Sequence, residues 1–232
     1  MKISLLGYGR MGKAIEKIAL KRGHEIVSKI DKGYNQGNIN QADVAINFSI
    51  PAAAVNNITI ALESKIPVVC GTTGWLEHYK KVTQIASYND TAFLYASNFS
   101  IGVNLFFKLN KTLAKMIQSQ AGYKPSMEEI HHVHKLDEPS GTAITLAEGI
   151  LENSSLSQWC QQDAGEDELE IKSIREGEVP GIHSIQYKSD IDAITIKHEA
   201  FSRKGFALGA IIASEWIVGK KGIFKMDDVL NI

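Results

Sequence analysis

Short apolar runs alternate with longer segments whose apolar residues return every three or four positions, and this alternation fills the first hundred residues. Lys2–Leu6 predicts a short buried strand that Gly7 closes. Met11, Ala14, Ile15, Ile18 and Ala19 then recur at helical spacing until Gly23. Glu25–Ile30 predicts a second strand, stopping at Asp31, and a polar connection rich in glycine and asparagine runs from Lys32 to Gln41. Val44–Phe48, Pro67–Cys70 and Thr91–Tyr95 predict further strands. Pro51 opens a helix with Val55, Ile58 and Leu62 on one face, and Trp75–Ala86 reads as another. Strands alternating with helices predict a parallel sheet covered on both faces.

The rhythm changes after Asn98. A long helical pattern from about Val103 to Ile117 has Leu105, Leu109 and Leu113 in register. Met127–His134 is strand-like, Thr142–Leu151 helical, and Asn153–Glu170 a polar loop. Lys172–Arg175, Gly181–Lys188 and Asp192–Ala200 predict strands with no helices between them, an α+β arrangement. The apolar Phe206–Val218 predicts a buried helix. The domain division that follows is 1–100 plus 205–232 for the α/β part and 101–204 for the α+β part.

Composition removes several classes. A formal net charge of −1 over 232 residues gives nucleic acid and anionic membranes no general attraction. Cys70 and Cys160 lie far apart and form no CxxC pair, so neither a disulfide framework nor a cysteine zinc site is expected. Ile3–Leu6 is too short for a secretory signal, and no stretch reaches membrane-span length. A cytoplasmic location is the expectation.

Gly7-Tyr8-Gly9-Arg10-Met11-Gly12 is a GxGxxG turn in its proper setting: it follows a strand and opens a helix. Asp31 also ends the second strand about 20 residues on. Gly7 permits the tight turn, Gly9 the approach of a pyrophosphate, and Gly12 close helix–strand packing. The helix start offers unpaired N–H groups to the anion. The pattern predicts a Rossmann-type, doubly wound dinucleotide domain. Asp31 favours the ribose hydroxyls of NADH, whereas Arg10 and Lys32 suit the extra phosphate of NADPH, so both cofactors stand open. Gly71, Thr72 and Thr73, and then Ala96, Ser97, Asn98 and Phe99, lie in loops at strand ends and are further candidates for cofactor contact.

Glu129-Ile130-His131-His132-Val133-His134-Lys135 gathers three histidines and a lysine within five positions, a density that suits proton transfer or anion binding. Adjacent histidines on a strand point to opposite faces, which disfavours a shared zinc ion, and no metal is expected. Strand parity places His131, Val133 and Lys135 on one side if the strand continues that far. Ser140-Gly141-Thr142 precedes a helix and offers hydroxyls and a favourable dipole end to a carboxylate. The implied substrate is a small anion.

Glu129–Thr142, with its paired histidines, its lysine three residues after the second, and Asp-x-Pro-Ser-Gly-Thr, resembles the dihydrodipicolinate (4-hydroxy-tetrahydrodipicolinate) reductase family. The Gly7–Gly12 turn, the Gly71–Gly74 loop, Ser97-Asn98-Phe99-Ser100 and the Phe224–Leu230 segment match in the same order. The resemblance implies a cyclic dicarboxylate substrate reduced to tetrahydrodipicolinate by NADH or NADPH in lysine and diaminopimelate synthesis. It implies His131 as the catalytic proton donor or acceptor and Lys135 as a proton donor. It places His132, Ser140, Gly141 and Thr142 at the substrate, and it implies that domain 101–204 serves substrate and oligomer formation. Closure over substrate, hinged near Asn98 and Ser202, is a further family expectation.

The chain also departs from that family. The connection after Asp31 is short, and the glycine turn has one residue fewer than in many relatives. Gly181–Ala200 lacks the longer hairpin, with a Gly-Glu-His segment, that many members carry before the strand Thr195-Ile196-Lys197-His198. That hairpin belongs to the sheet through which the members form tetramers, so a homo-oligomer with a reduced or altered tetramer is expected. Two rivals are another Rossmann-type reductase of a small anionic substrate and a non-catalytic dinucleotide sensor. Neither needs the histidine–lysine cluster.

Overall fold

The computed structural model describes residues 1–202 and 204–232. They form two compact units, Met1–Ile101 with Lys204–Ile232, and Gly102–Arg203. The junction expected near Ser202 abuts Arg203, which lies outside the described residues.

Strand β1 (Lys2–Leu6) enters the glycine turn, and helix α1 (Arg10–Lys21) returns the chain to β2 (Glu25–Asp31). β3 (Tyr34–Gly37) doubles back on β2 before β4 (Val44–Asn47), α2 (Pro51–Glu63), β5 (Val68–Cys70), α3 (Tyr79–Tyr88) and β6 (Ala92–Tyr95). Then come α4 (Ile101–Ile117), β7 (Lys124–His131), α5 (Gly141–Leu151), β8 (Gln158–Cys160), β9 (Glu168–Arg175), β10 (Ile182–Lys188) and β11 (Ala193–Glu199). The chain ends with α6 (Lys204–Ile217), β12 (Gly222–Phe224) and α7 (Met226–Leu230).

The first unit holds a seven-stranded sheet in the order β12-β6-β5-β4-β1-β2-β3, parallel except for β3. Side chains alternate across it, and both faces are buried. Ile3, Leu5, Ile46, Val69 and Leu94 face Ile15 and Ala19 of α1 and the small-residue surface of α6. Leu6, Ala45, Val68 and Phe93 face Ile58 and Leu62 of α2 and Val82 of α3. Two-sided burial is why these strands read as unbroken apolar runs. The second unit is a five-stranded sheet in the order β11-β10-β7-β9-β8. Met127, Ile171, Ile185 and Tyr187 cluster with Phe106 of α4 and Leu146 and Ile150 of α5.

Several expected boundaries shift. The connection Lys32–Gln41 contains β3, an exposed polar edge strand held by backbone pairing to β2. The polar loop Asn153–Glu170 contains β8 and the start of β9. The helix expected from Trp75 begins as a single tight turn at Leu76–His78, because Trp75 is buried and donates its Nε1–H to the Thr72 carbonyl at 2.6 Å. Strand β7 stops at His131, three residues before the predicted His134.

Candidate active site

The ends of β1, β2, β4, β5 and β6 lie along one edge of the first sheet, because these strands run parallel. The strand order reverses at β1, whose neighbours are β2 and β4, and open α/β sheets take ligands outside such a reversal. Gly7 has φ +98°, and a Cβ on it would stand 2.3 Å from the Phe48 carbonyl oxygen. A Cβ on Gly12 would stand 2.4 Å from the Gly7 carbonyl oxygen. Gly9 is different: nothing lies within 4 Å of the place its Cβ would take. It is the N-cap of α1 and supplies no side-chain cap, so the first turn presents its N–H groups to an open cradle. A dinucleotide pyrophosphate fits there.

Asp31 accepts the Tyr8 N–H on Oδ2 and the Lys32 N–H on Oδ1, both at 2.7 Å. The carboxylate is thereby fixed at the rim, with a second lone pair on each oxygen for ribose hydroxyls. Arg10 and Lys32 are exposed, and Met11 is half-buried. Thr72 is spent on the fold, its hydroxyl accepting from Ser49 N at 2.9 Å and Asn47 Nδ2 at 3.2 Å. Phe99 is buried against Phe48, with ring centroids 5.6 Å apart. Gly71 and Ala96 are half-buried beside them, Thr73 and Ser97 are exposed, and Asn98 Oδ1 accepts the Ser100 N–H at 2.9 Å.

In the second unit β7 buries Met127, Glu129 and His131, two residues apart as a strand requires. Register sets Ile171 and Ile185 beside Met127, and Ser173 and His183 beside Glu129. An apolar row thus gives way to a polar row near the strand end, and Ser140, the N-cap of α5, closes over it. Glu129 Oε1 accepts from Ser173 Oγ at 2.9 Å and Ser140 N at 3.1 Å, with Arg175 Nη1 at 3.4 Å. Glu129 Oε2 faces His131 Nδ1 at 3.4 Å and His183 Nε2 at 3.5 Å. His131 is 6% exposed, and its Nδ1 makes no hydrogen bond. Glu129, His131 and His183 offer ligand atoms within 4.8 Å of one another, a spacing a cation would accept. The guanidinium and the hydrogen-bond donors already around the carboxylate make it an acceptor hub instead.

Beyond His131 the chain turns, with Lys135 N donating to the His132 carbonyl at 3.1 Å and Val133 exposed. Shared strand parity therefore does not relate His131 to Lys135, because the strand has already ended. The turn itself carries Lys135 back, and Lys135 Nζ binds both Asp137 oxygens at 2.8 and 2.9 Å. Arg175 steadies this turn through a 2.8 Å hydrogen bond to the Asp137 carbonyl. His132 is half-buried, while His134 is exposed and pairs with Glu178 at 3.1 Å. Ser140 is buried, its hydroxyl accepting the Ala143 N–H at 3.2 Å, and Gly141 is exposed with open space around it. Thr142 is half-buried in the first turn of α5.

Burial pushes the His131 imidazole down from 6.5 to about 4, against the upward pull of Glu129. Burial also opposes the charge on Glu129, yet hydrogen bonds from His183, Ser140 and Ser173 hold its carboxyl well below the usual carboxylate range. For Asp137 the partner Lys135 outweighs burial and lowers the carboxyl. The sign for His131 follows: between about 4 and 6.5 the unfolded chain takes a proton that the folded chain refuses. Its contribution is complete above that window and is lost as pH falls through it. We expect about 2 kcal/mol less stability at pH 4.5 than at pH 7 from this group. Urea unfolding of the chain and of His131→Gln at both pH values measures it, and equal losses in the two proteins would rule it out.

Three partners of Glu129 escape sequence reasoning: Ser173 and Arg175 on β9 and His183 on β10. The available signal was the alternation of Gly181–Lys188, which places His183 on the same face as Ile185.

An uncapped helix start and an acidic strand end on one sheet answer the needs of a dinucleotide, and buried proton-transfer groups on the other answer those of a hydride acceptor. The class they define is the nicotinamide-dependent oxidoreductases. Residues 1–99 match the family described as dihydrodipicolinate reductase, N-terminus, and residues 102–230 match dihydrodipicolinate reductase, C-terminus. The chain belongs to the dihydrodipicolinate reductase family. It is 54% identical to the 4-hydroxy-tetrahydrodipicolinate reductase of Christiangramia forsetii, over all of this chain and 98% of that one. Its identity to the enzyme of that name from Archaeoglobus fulgidus is 33%, with both chains fully covered. The fold is shared with the dipicolinate-bound dihydrodipicolinate reductase from Paenisporosarcina sp. TG-14, at a TM-score of 0.80 and 22% identity over 97% of each chain.

Proposed function

We propose that this chain reduces 4-hydroxy-tetrahydrodipicolinate to tetrahydrodipicolinate with NADH or NADPH, a step of lysine and diaminopimelate biosynthesis. The observation that carries the reading is the pairing of a buried His131 with a Lys135 loop directly before the start of α5. Residues 1–100 with 205–232 hold the cofactor, and 101–204 hold the substrate. Gly7–Gly12 cradle the pyrophosphate, Asp31 and Lys32 meet the adenosine ribose, and the loops Gly71–Thr73 and Ala96–Phe99 line the nicotinamide end, Thr72 and Phe99 through backbone and shape. Bound nicotinamide supplies the hydride.

Loss of the 4-hydroxyl group with a neighbouring proton, as water, turns the substrate into a conjugated imine. Hydride addition to that imine then moves an electron pair through it, and the atom that receives the pair takes up a proton. Lys135 gives that proton from its ammonium group, once a substrate carboxylate has displaced Asp137 from it. His131 is neutral at physiological pH and works as an imidazole, exchanging a proton rather than carrying a fixed charge. His132, Gly141 and Thr142 take a substrate carboxylate at the positive end of α5. Ser140, bound to Glu129 and to Ala143, contributes by placing that helix start.

The test is turnover of the condensation product of pyruvate and aspartate semialdehyde, following oxidation of NADH and NADPH separately. Oxidation of one or both is expected; none with either would overturn the reading. We place the enzyme in the cytoplasm and expect a homo-oligomer whose tetramer is reduced or altered, because β10 and β11 are joined by the short Ser189–Asp192 turn. Light scattering showing an ordinary stable tetramer would refute that.

A further inference from the structure

His183 lies outside the histidine–lysine loop and takes no part in the reaction as proposed. It is nonetheless 5% exposed, and its ring meets His131 edge-on with centroids 5.0 Å apart. A polar ring in that position costs desolvation unless it is partnered. Its partners are specific: Nε2 lies 3.2 Å from Ser140 Oγ and 3.5 Å from Glu129 Oε2. The same Glu129 oxygen faces His131 Nδ1 at 3.4 Å. Gly181 also borders the His131 ring, since a Cβ on it would stand 3.1 Å from His131 Nε2. The ring is therefore bounded by Gly181, by His183 and by a carboxylate that His183 helps to hold.

We infer that His183 is a positioning residue: its Nε2–H, shared between Ser140 and Glu129, keeps Glu129 Oε2 aimed at His131 Nδ1. A neutral imidazole carries one N–H, and the acceptor facing one nitrogen decides which nitrogen keeps it. Glu129 Oε2, at 3.4 Å, is the acceptor that faces Nδ1 although no hydrogen bond is formed in this structure, so it favours the Nδ1–H tautomer of His131 and leaves Nε2 as the nitrogen that exchanges protons. Ser140 also caps α5, so the same contact ties the ring's orientation to the helix start that receives the substrate.

This inference rests on the reductase reading, so its test includes a readout that does not need turnover. His183→Ala should lower kcat about 10- to 100-fold by misplacing the ring, with cofactor KM changed less than about twofold. His183→Gln, which offers an N–H near the place of Nε2, should recover most of that loss. In the NADH-bound wild type, 15N spectra of labelled histidine should show His131 as the Nδ1–H tautomer, and His183→Ala should shift it towards a mixture. Wild-type kcat in His183→Ala overturns the inference. So does a loss that glutamine fails to recover, or a wild-type His131 found as the Nε2–H tautomer. The last reading stands even if the alanine variant does not fold. A wild type without turnover instead condemns the reductase reading and leaves the tautomer measurement to decide this one.

Discussion

Replacing Lys135 by alanine lowers kcat by about two to four orders of magnitude, the range for removing a positioned general acid. The size follows from what remains in its absence. His131 is buried and held neutral, so it does not replace the lost ammonium at the acceptor. Arg175 cannot take over, because its guanidinium is committed to Glu129 and to the Asp137 carbonyl. Substrate KM rises as well, since Lys135 also serves a carboxylate, whereas the dissociation constant of NADH stays within about threefold. A small alkylamine added to the alanine variant should restore part of the rate. Kinetics unchanged from wild type would remove Lys135 from the site.

Gly9→Ala and Gly7→Ala, two apparently equivalent changes in one motif, should fail in opposite ways. Gly9 has φ −77° and ψ −154°, a conformation alanine adopts, and its methyl group would enter empty space. The folded chain should keep its melting temperature within about 2 °C, and cofactor affinity should fall about tenfold or more, because that space against the helix start is the proposed seat of the pyrophosphate. Gly7 combines φ +98° with a backbone oxygen 2.3 Å from the added Cβ. Its variant should lose about 3 kcal/mol or more of stability before binding is considered. Calorimetry of the apo chains and titration with NADH separate the two. A Gly9 variant that binds normally would place the pyrophosphate elsewhere.

These glycines illustrate what a sequence makes legible. The β1–turn–α1–β2 path is local, and parallel strands buried on both faces leave continuous apolar runs, so the first unit was readable from its hydrophobic pattern. β3 was not, since Tyr34-Asn35-Gln36-Gly37 is exposed throughout and exists through backbone pairing to β2. β8, three residues long, escaped for a related reason. The histidine–lysine loop stood out because its chemistry is concentrated in sequence. The neutral state of His131 did not, because it depends on burial. Nor did Ser173, Arg175 and His183, which reach Glu129 and His131 only through the lateral register of β7 with β9 and β10. Periodicity along one strand says which residues share a face; it does not say what stands beside them.

The polar row has one consequence for how the second sheet assembles. A slip of one residue between β7 and β10 would carry every side chain of the slipped strand to the opposite face. In any half-buried strand such a slip already exposes the apolar set, here Met127 or Ile185. Here it would strand the Glu129 carboxylate without Ser140 and His183, or leave His183 buried without either, and an unpaired buried charge is far more costly than a misplaced methyl group. The polar partners gathered around Glu129 thus act as a pin for strand alignment, penalising wrong pairings during folding.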